Sequence, residues 1–306
     1  MANSVTETMW VTDNEEIQKM MILWPSIVRD ITESIDLNIP DFTIWMKKLQ
    51  AAVLILDDIQ DRSLLRRGQP CWYRRCDVEL MAISDGIMLE QTLFYIIRKY
   101  FNKKECYIDL LETFHDVIYK ATMGQCIDLC SSNLGKKLNV HLFTMDRYNS
   151  IAEHKTAYCT CYLPITAAMH LVGLKDPEMF RQTKHILLDM GRLFQVQDDY
   201  LACYGDSEAF GKDNTDIQEG KCTWLVVTAL DRATTEQRKI LRECYGFSDP
   251  EKTRRVKQLF IDMNLSNIYL TYEEQEYNLL ITRIQQISYG RSLFLDLLEG
   301  IYHRKS

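Results

Sequence analysis

Residues that break helices are scarce in this sequence. Twelve glycines and six prolines stand among 306 residues, about half the usual share of roughly 12%. A turn-rich β architecture needs those residues at its corners, so the shortage excludes it and favours long helices. Long apolar runs are missing too. Ala51–Leu56 is the longest wholly apolar stretch, far below the ~18 residues that a membrane-spanning helix needs. The first twenty residues hold no apolar core of a secretory signal. Positive charge is short: 36 Lys and Arg face 43 Asp and Glu, a net charge of −7. That excludes broad nucleic-acid binding, which needs clustered cations to displace phosphate counterions. The ten cysteines have no CxxC pairing. Cys126 and Cys130 lie one helical turn apart and Cys159 and Cys161 straddle Thr160, but no Cys/His cluster completes a zinc site. They read as reduced thiols of a cytoplasmic protein.

What the chain does have is helical periodicity. No repeat, linker or low-complexity tract interrupts it. The pattern predicts helices over 14–32, 41–61, 77–101, 105–130, 145–171, 177–204, 221–231, 234–245, 250–263, 267–287 and 290–303. Loops fall at 66–70, 131–140, 173–177 and 205–220, where breakers and polar residues gather. The expected architecture is all-α: a single domain over 1–306, a bundle of helices around a central cavity.

Two acidic motifs close apolar helices. In the first, Asp57-Asp58-Ile-Gln-Asp61 follows directly on the apolar Ala51–Leu56. Asp57 and Asp61 are i and i+4, so their carboxylates share a helix face, with Asp58 beside them. Like charges at the end of an apolar segment repel and resist desolvation. A divalent cation offsets both, and hard oxygen ligands suit Mg²⁺, which also binds substrate phosphates. The second motif, Phe194-Gln195-Val196-Gln197-Asp198-Asp199-Tyr200-Leu201, ends an apolar helix that begins near Ile186. One such motif is compatible with a plain solvated helix end. Two facing each other across a cavity form a metal clamp for one diphosphate. Basic residues stand nearby: Arg66 and Arg67 follow the first motif, Lys212 and Lys221 flank the loop after the second, and Lys155 precedes Thr156. Arginine offers a fork of donors matched to phosphate oxygens.

The segments DDIQDRSLLRRGQPCWYR, YKATMGQCIDL, HKTAYCTCYLP and FQVQDDYLACYGDSEAFGKDNTDIQEGKCTWLVV resemble farnesyl diphosphate synthases in their insect form. The resemblance runs from Asp57 to the C-terminus, with a shorter match over 24–32 and 38–50. It implies an all-α isoprenoid synthase (prenyltransferase) fold, a homodimer, a prenyl diphosphate substrate and three Mg²⁺ ions. By position, Asp57, Asp58, Asp61 and Asp198 would hold the metals, and Asp128 would reach them through water. Arg66, Lys155 and Lys212 would grip the allylic diphosphate, with Lys221 near it. Thr156 and Gln195 would lie beside the carbocation.

The sequence also departs from that family. Its Gly-Gly-Lys-x-x-Arg-Gly segment, which binds isopentenyl diphosphate, is missing, because Gln50 leads straight into Ala51 and the first acidic motif. Arg67 and Gln50 remain for the second substrate, with Lys47 and Lys48 as substitutes. The third Asp of the second motif is Ala202. Ala52 and Val53 stand where bulky aromatics are common, and Cys159 replaces another aromatic. These changes suggest a deeper cavity and a lost coupling site. The expectation is therefore a sesquiterpene synthase, a lyase that ionises farnesyl diphosphate with Mg²⁺ and cyclises it. The rivals are a chain-elongating prenyltransferase and a catalytically silent dimerisation partner.

Overall fold

The computed structural model describes residues 42–132, 139–205, 215–287 and 289–302. The helix expected over 14–32 lies outside them. The described chain is helical throughout, apart from one two-stranded hairpin. No helix among the described residues is long and apolar enough to cross a membrane.

Helix α1 (Phe42–Gln60) ends in the first acidic motif and is followed by the hairpin of β1 (Leu65–Arg66) and β2 (Gln69–Pro70). The strands pair antiparallel, Leu65 with Pro70 and Arg66 with Gln69. Arg67 and Gly68 make the turn at φ 56° and 71°, the pair of positive angles that a tight hairpin turn of this hand requires. Two long helices, α2 (Met81–Phe101) and α3 (Tyr107–Ser131), come next. Helix α2 starts four residues later than the expected 77, because Glu79 adopts φ 47°, outside the helical range.

The helix expected over 145–171 forms without a break but changes its winding. It comprises α4 (Met145–Ile151), a π-helical stretch (Ala152–Tyr162) and α5 (Leu163–Leu171). Wide π turns in a helix accompany functional sites, and here the stretch carries Lys155 and Thr156. Two flanking glycines let it pack. A Cβ on Gly124 of α3 would collide with the main chain of His154 and Lys155, and one on Gly191 would collide with Ala157.

Helix α6 (Pro177–Tyr204) matches its expected span. Asp176 accepts the Glu178 N–H at 2.9 Å and Pro177 opens the first turn, the usual start of a helix. Helices α7 (Asp216–Glu219), α8 (Trp224–Arg232), α9 (Thr235–Cys244), α10 (Pro250–Asp262), α11 (Leu265–Gln286) and α12 (Arg291–Ile301) complete the fold. Thr234 and Gln237 form a capping box at the start of α9, and Asp249 with Pro250 starts α10. Helix α8 is buried from Trp224 to Leu230, so it runs through the core rather than along its surface. Around it pack Tyr148, Leu241, Tyr245 and Phe260. A second apolar cluster joins α1, α2, α3 and the π stretch through Leu49, Leu93, Phe114 and Tyr158. A third lies between α6, α11 and α12.

Candidate active site

The end of α1 meets α3, the π stretch and the start of α8 in a cluster of charges. Arg66, folded back by the hairpin, forks onto Asp58 through Nε at 3.0 Å and an Nη at 2.5 Å, and reaches Asp57 at 3.1 Å. Lys155 lies 2.6 Å from Asp128, 3.2 Å from Asp57 and 3.9 Å from Asp61. Lys221 lies 2.5 Å from Asp61 and 3.1 Å from Asp128. Gln125, one turn before Asp128 on α3, donates to Asp57 at 3.2 Å and to the Gln60 side-chain carbonyl at 2.9 Å.

The charges depend on one another. Burial would raise Asp128, but Lys155 and Lys221 hold it below the usual carboxylate range. Burial would lower Lys155, yet Asp128, Asp57 and Asp61 keep it well above an ordinary lysine. Lys221 is raised in the same way, against burial, chiefly by Asp128. Asp61 is pushed up by burial, with the Asp57 charge adding to the effect. Arg66 is raised by Asp58 and Asp57 against the pull of burial, whereas burial and the charge of Arg66 lower Arg67. Four carboxylates face three cations here, which leaves one net negative charge.

A second set of contacts links this cluster to the second acidic motif. Thr156, next to Lys155, donates to the Gln195 Oε1 at 2.5 Å. The Gln195 Nε2 donates to Asp199 at 2.9 Å, and the other oxygen of Asp199 accepts the Trp224 N–H at 2.7 Å. Burial, with the Asp216 charge beside it, pushes Asp199 up to about 8, against these two donors. Asp198 is half-buried on α6 between Gln195 and the helix end.

Of the residues singled out from sequence, the structure brings Asp57, Asp58, Asp61, Asp128, Arg66, Lys155 and Lys221 into one cluster and joins Thr156 to Gln195. Arg67 sits half-buried in the hairpin turn and Gln50 is exposed on α1. Lys212 lies outside the described residues. Gln125 escaped the sequence reading, and Asp199 entered it only as half of the second acidic pair. Gln125 was detectable as a polar residue one turn before Asp128. Asp199 shows its role only through Trp224, 25 residues away.

No three carboxylates, cysteines or histidines among the described residues converge as a preformed metal cage. The donor chemistry suits Mg²⁺ in another way: Asp57, Asp58 and Asp61 offer hard carboxylate oxygens at and just past the end of α1, the ligand type of an ion that shares its coordination with water and substrate phosphates.

The architecture is the all-α isoprenoid synthase fold. Residues 23–263 match the polyprenyl synthetase family, and the chain belongs to that family. The farnesyl pyrophosphate synthase of Murgantia histrionica is 46% identical over 262 residues, which cover 85% of this chain and 64% of that protein. That of Nezara viridula is 47% identical with the same coverage, so the chain spans just under two thirds of the length of these insect relatives. A farnesyl diphosphate synthase of T. brucei, solved with risedronate, superposes with a TM-score of 0.81 at 28% identity, over 96% of this chain and 93% of that one.

These relatives overturn the expected terpene synthase, and the lyase class with it. By name they make a prenyl diphosphate rather than cyclise one. The charge cluster could not discriminate the two, because both reactions begin by losing diphosphate. The small side chains misled for a packing reason. Ala52 is buried at 1% exposure, and Val53 and Cys159 pack against the cluster of Leu49, Phe114 and Tyr158. Burial pushes the Cys159 thiol up to about 11, so it serves as an apolar filler.

Proposed function

We propose that this protein is a Mg²⁺-dependent prenyltransferase that elongates an allylic prenyl diphosphate with isopentenyl diphosphate. The observation that carries this reading is the likeness to the farnesyl pyrophosphate synthases, 46% and 47% identical over 262 residues; the placement of Lys155 and Lys221 on Asp128, beside Asp57 and Asp61, supports the grip on the leaving diphosphate that the reaction needs. Asp57, Asp58, Asp61 and Asp198 would hold Mg²⁺, with Asp128 behind them, and the ions, three by resemblance, would neutralise charge on the departing diphosphate.

The protein's own groups have clear tasks. Arg66 forks onto carboxylates in the resting site and offers the same fork to phosphate oxygens. Lys155 and Lys221 stay charged because Asp128 holds them so, and Lys212 is expected to join them. As the allylic C–O bond breaks, its electron pair leaves with the diphosphate. The Thr156 hydroxyl and the Gln195 carbonyl face the cation that remains. The double bond of isopentenyl diphosphate then attacks this cation, and loss of a proton ends the step. For the second diphosphate, Arg67 is the best-supported group, because the hairpin turn holds it half-buried next to Arg66. Gln50 and the neighbouring Lys47 and Lys48 on α1 are secondary. Val53 and Cys159, packed against Leu49, Phe114 and Tyr158, and the buried Ala52 would close the floor beneath the prenyl chain rather than open it.

The working unit is one domain over 1–306 and a homodimer. Helices α2 and α3 expose an apolar stripe of Leu80, Ile87, Met88 and Tyr95 beside Ile108, Tyr119 and Met123, and a stripe of that kind suits a partner surface. Free thiols at all ten cysteines suit a reducing cytoplasmic compartment.

The test is to incubate the purified protein with Mg²⁺, isopentenyl diphosphate and either dimethylallyl or geranyl diphosphate. A prenyl diphosphate longer by five carbons is expected. Absence of any elongated product with both allylic substrates would refute the reading.

A further inference from the structure

Asp128 sits in the last turn of α3, and that turn is held from outside the helix. Ser131 is fully buried, at 0% exposure. Its hydroxyl donates to the Ile127 carbonyl and accepts the Nε–H of Arg147, each at 2.6 Å. One residue on, the Ser132 hydroxyl donates to the Asp128 carbonyl at 3.1 Å, which also accepts the Ser132 N–H at 3.0 Å. A helix end leaves its last carbonyls short of donors, and two serine hydroxyls supplement them here.

Arg147 comes from α4, the helix that runs on into the π stretch and Lys155. Thr144 caps α4 by accepting the Arg147 N–H at 3.2 Å, so the main chain beneath this side chain is fixed. Arg147 is half-buried and has no carboxylate partner among the described residues. Its charge lies at the end of α3 instead. Helix α3 has no basic residue in its own last turn, and a cation there opposes the negative end of the helix dipole. A bond from a charged donor is also stronger than one from a neutral donor.

We infer that Arg147 is a positioning residue: through Ser131 it clamps the last turn of α3 to α4, and so sets Asp128 where it holds both Lys155 and Lys221. The inference rests on the prenyltransferase reading for what those lysines grip, but the clamp itself is a property of the fold. The Asp128 Oδ2 lies 2.6 Å from Lys155 and 3.1 Å from Lys221. Lys155 stands on the same continuous helix as Arg147, so one clamp sets both the carboxylate and the first of its cations. A frayed last turn would shift Asp128 and leave the two ammonium groups to Asp57 and Asp61 alone.

Substitutions at position 147 separate donor from charge. Glutamine carries its amide nitrogen at the point of the side chain where arginine carries Nε. Arg147→Gln therefore keeps the donor and loses the charge. Arg147→Met keeps an unbranched apolar stem and loses both. Ser131→Ala removes the acceptor, together with the hydroxyl bond to Ile127. If Arg147 acts through Ser131, the effects of R147M and S131A do not add, and the double variant loses no more than S131A alone.

The experiment takes the full-length wild type, R147Q, R147M, S131A and S131A/R147M through three measurements: calorimetric binding of inorganic pyrophosphate at saturating Mg²⁺, steady-state elongation, and hydrogen–deuterium exchange over 125–132. R147M is expected to weaken pyrophosphate binding and to lower kcat by about tenfold each, the worth of one charge-assisted hydrogen bond. R147Q is expected to fall between R147M and wild type. Exchange is expected to quicken in the last turn of α3 in R147M and S131A, with that of α8 unchanged. Pyrophosphate affinity and kcat within about twofold of wild type in R147M overturn the inference. So does an R147Q no better than R147M, which marks a diffuse effect of charge, or a double variant whose loss is the product of the single losses. Unchanged exchange over 125–132 overturns the clamp without any substrate. Should R147M fail to fold, R147Q and S131A give the same readouts. A wild type that elongates nothing, while exchange responds as expected in the variants, refutes the prenyltransferase reading and leaves the clamp standing.

Discussion

Replacing Asp128 by Asn removes one charge from the centre of the cluster and keeps the shape. Its Oδ2 lies 2.6 Å from Lys155 and 3.1 Å from Lys221, and the residue is 5% exposed. Breaking a buried pair by removing one partner costs about 3–5 kcal/mol, mostly because a charge is left uncompensated. Here Lys155 retains Asp57 at 3.2 Å and Lys221 retains Asp61 at 2.5 Å. The expected loss is therefore at the lower end, about 3 kcal/mol. For a chain of this size that corresponds to a Tm lower by roughly 6–10 °C. The pH dependence gives a second check. The folded-state pKa of Asp128 lies below its ordinary value. Its contribution is therefore fully present above the ordinary carboxylate range and fades as pH falls through the depressed folded value. The Tm difference between wild type and D128N should stay constant from pH 8 to about pH 5 and shrink below about pH 4. Differential scanning calorimetry at several pH values measures it. A D128N protein as stable as wild type at pH 7, or a difference unchanged at pH 3, would refute the reasoning.

Gly124→Ala should destabilise the protein by about 2–3 kcal/mol and suppress turnover, because its Cβ would press on the Lys155 main chain. At Gly68 nothing lies within 4 Å of an added Cβ, so Gly68→Ala should cost only its positive φ, about 1 kcal/mol; chemical denaturation of both variants checks the contrast. Met88→Lys with Tyr119→Lys should weaken self-association at least tenfold, as light scattering over a dilution series would show, and an unchanged mass would reject this face as the dimer surface. Thr156→Val should lower kcat by about 10²-fold with less effect on the allylic KM, because it leaves Gln195 Oε1 without its donor.

Much of the fold is legible in the sequence because its signals are local. Asp176-Pro177 and Gly205 bracket α6, and the Thr234–Gln237 spacing marks α9. The π winding of 152–162 is not legible. It depends on close approach to Gly124 and Gly191 in other helices, and no periodicity within the segment reports that. In the site, Asp57 and Asp61 stand out by helical spacing alone, and Lys155 and Lys221 stand out only as charges. Their meeting on Asp128 spans 27 and 93 residues of chain, which only the tertiary fold reveals. The reaction was misread for a similar reason. Ala52, Val53 and Cys159 are small in the sequence, but whether a small side chain opens a cavity depends on what packs beside it.

Product formation from geranyl and isopentenyl diphosphates, followed with radiolabelled isopentenyl diphosphate, is the most direct test of the site. With Mg²⁺ the wild type should incorporate label into a longer prenyl diphosphate, EDTA should abolish incorporation, and Lys155→Ala should reduce it by about 10³-fold or more. Undiminished incorporation by Lys155→Ala, or with EDTA present, would contradict the reading of these buried charges as the grip on the leaving diphosphate.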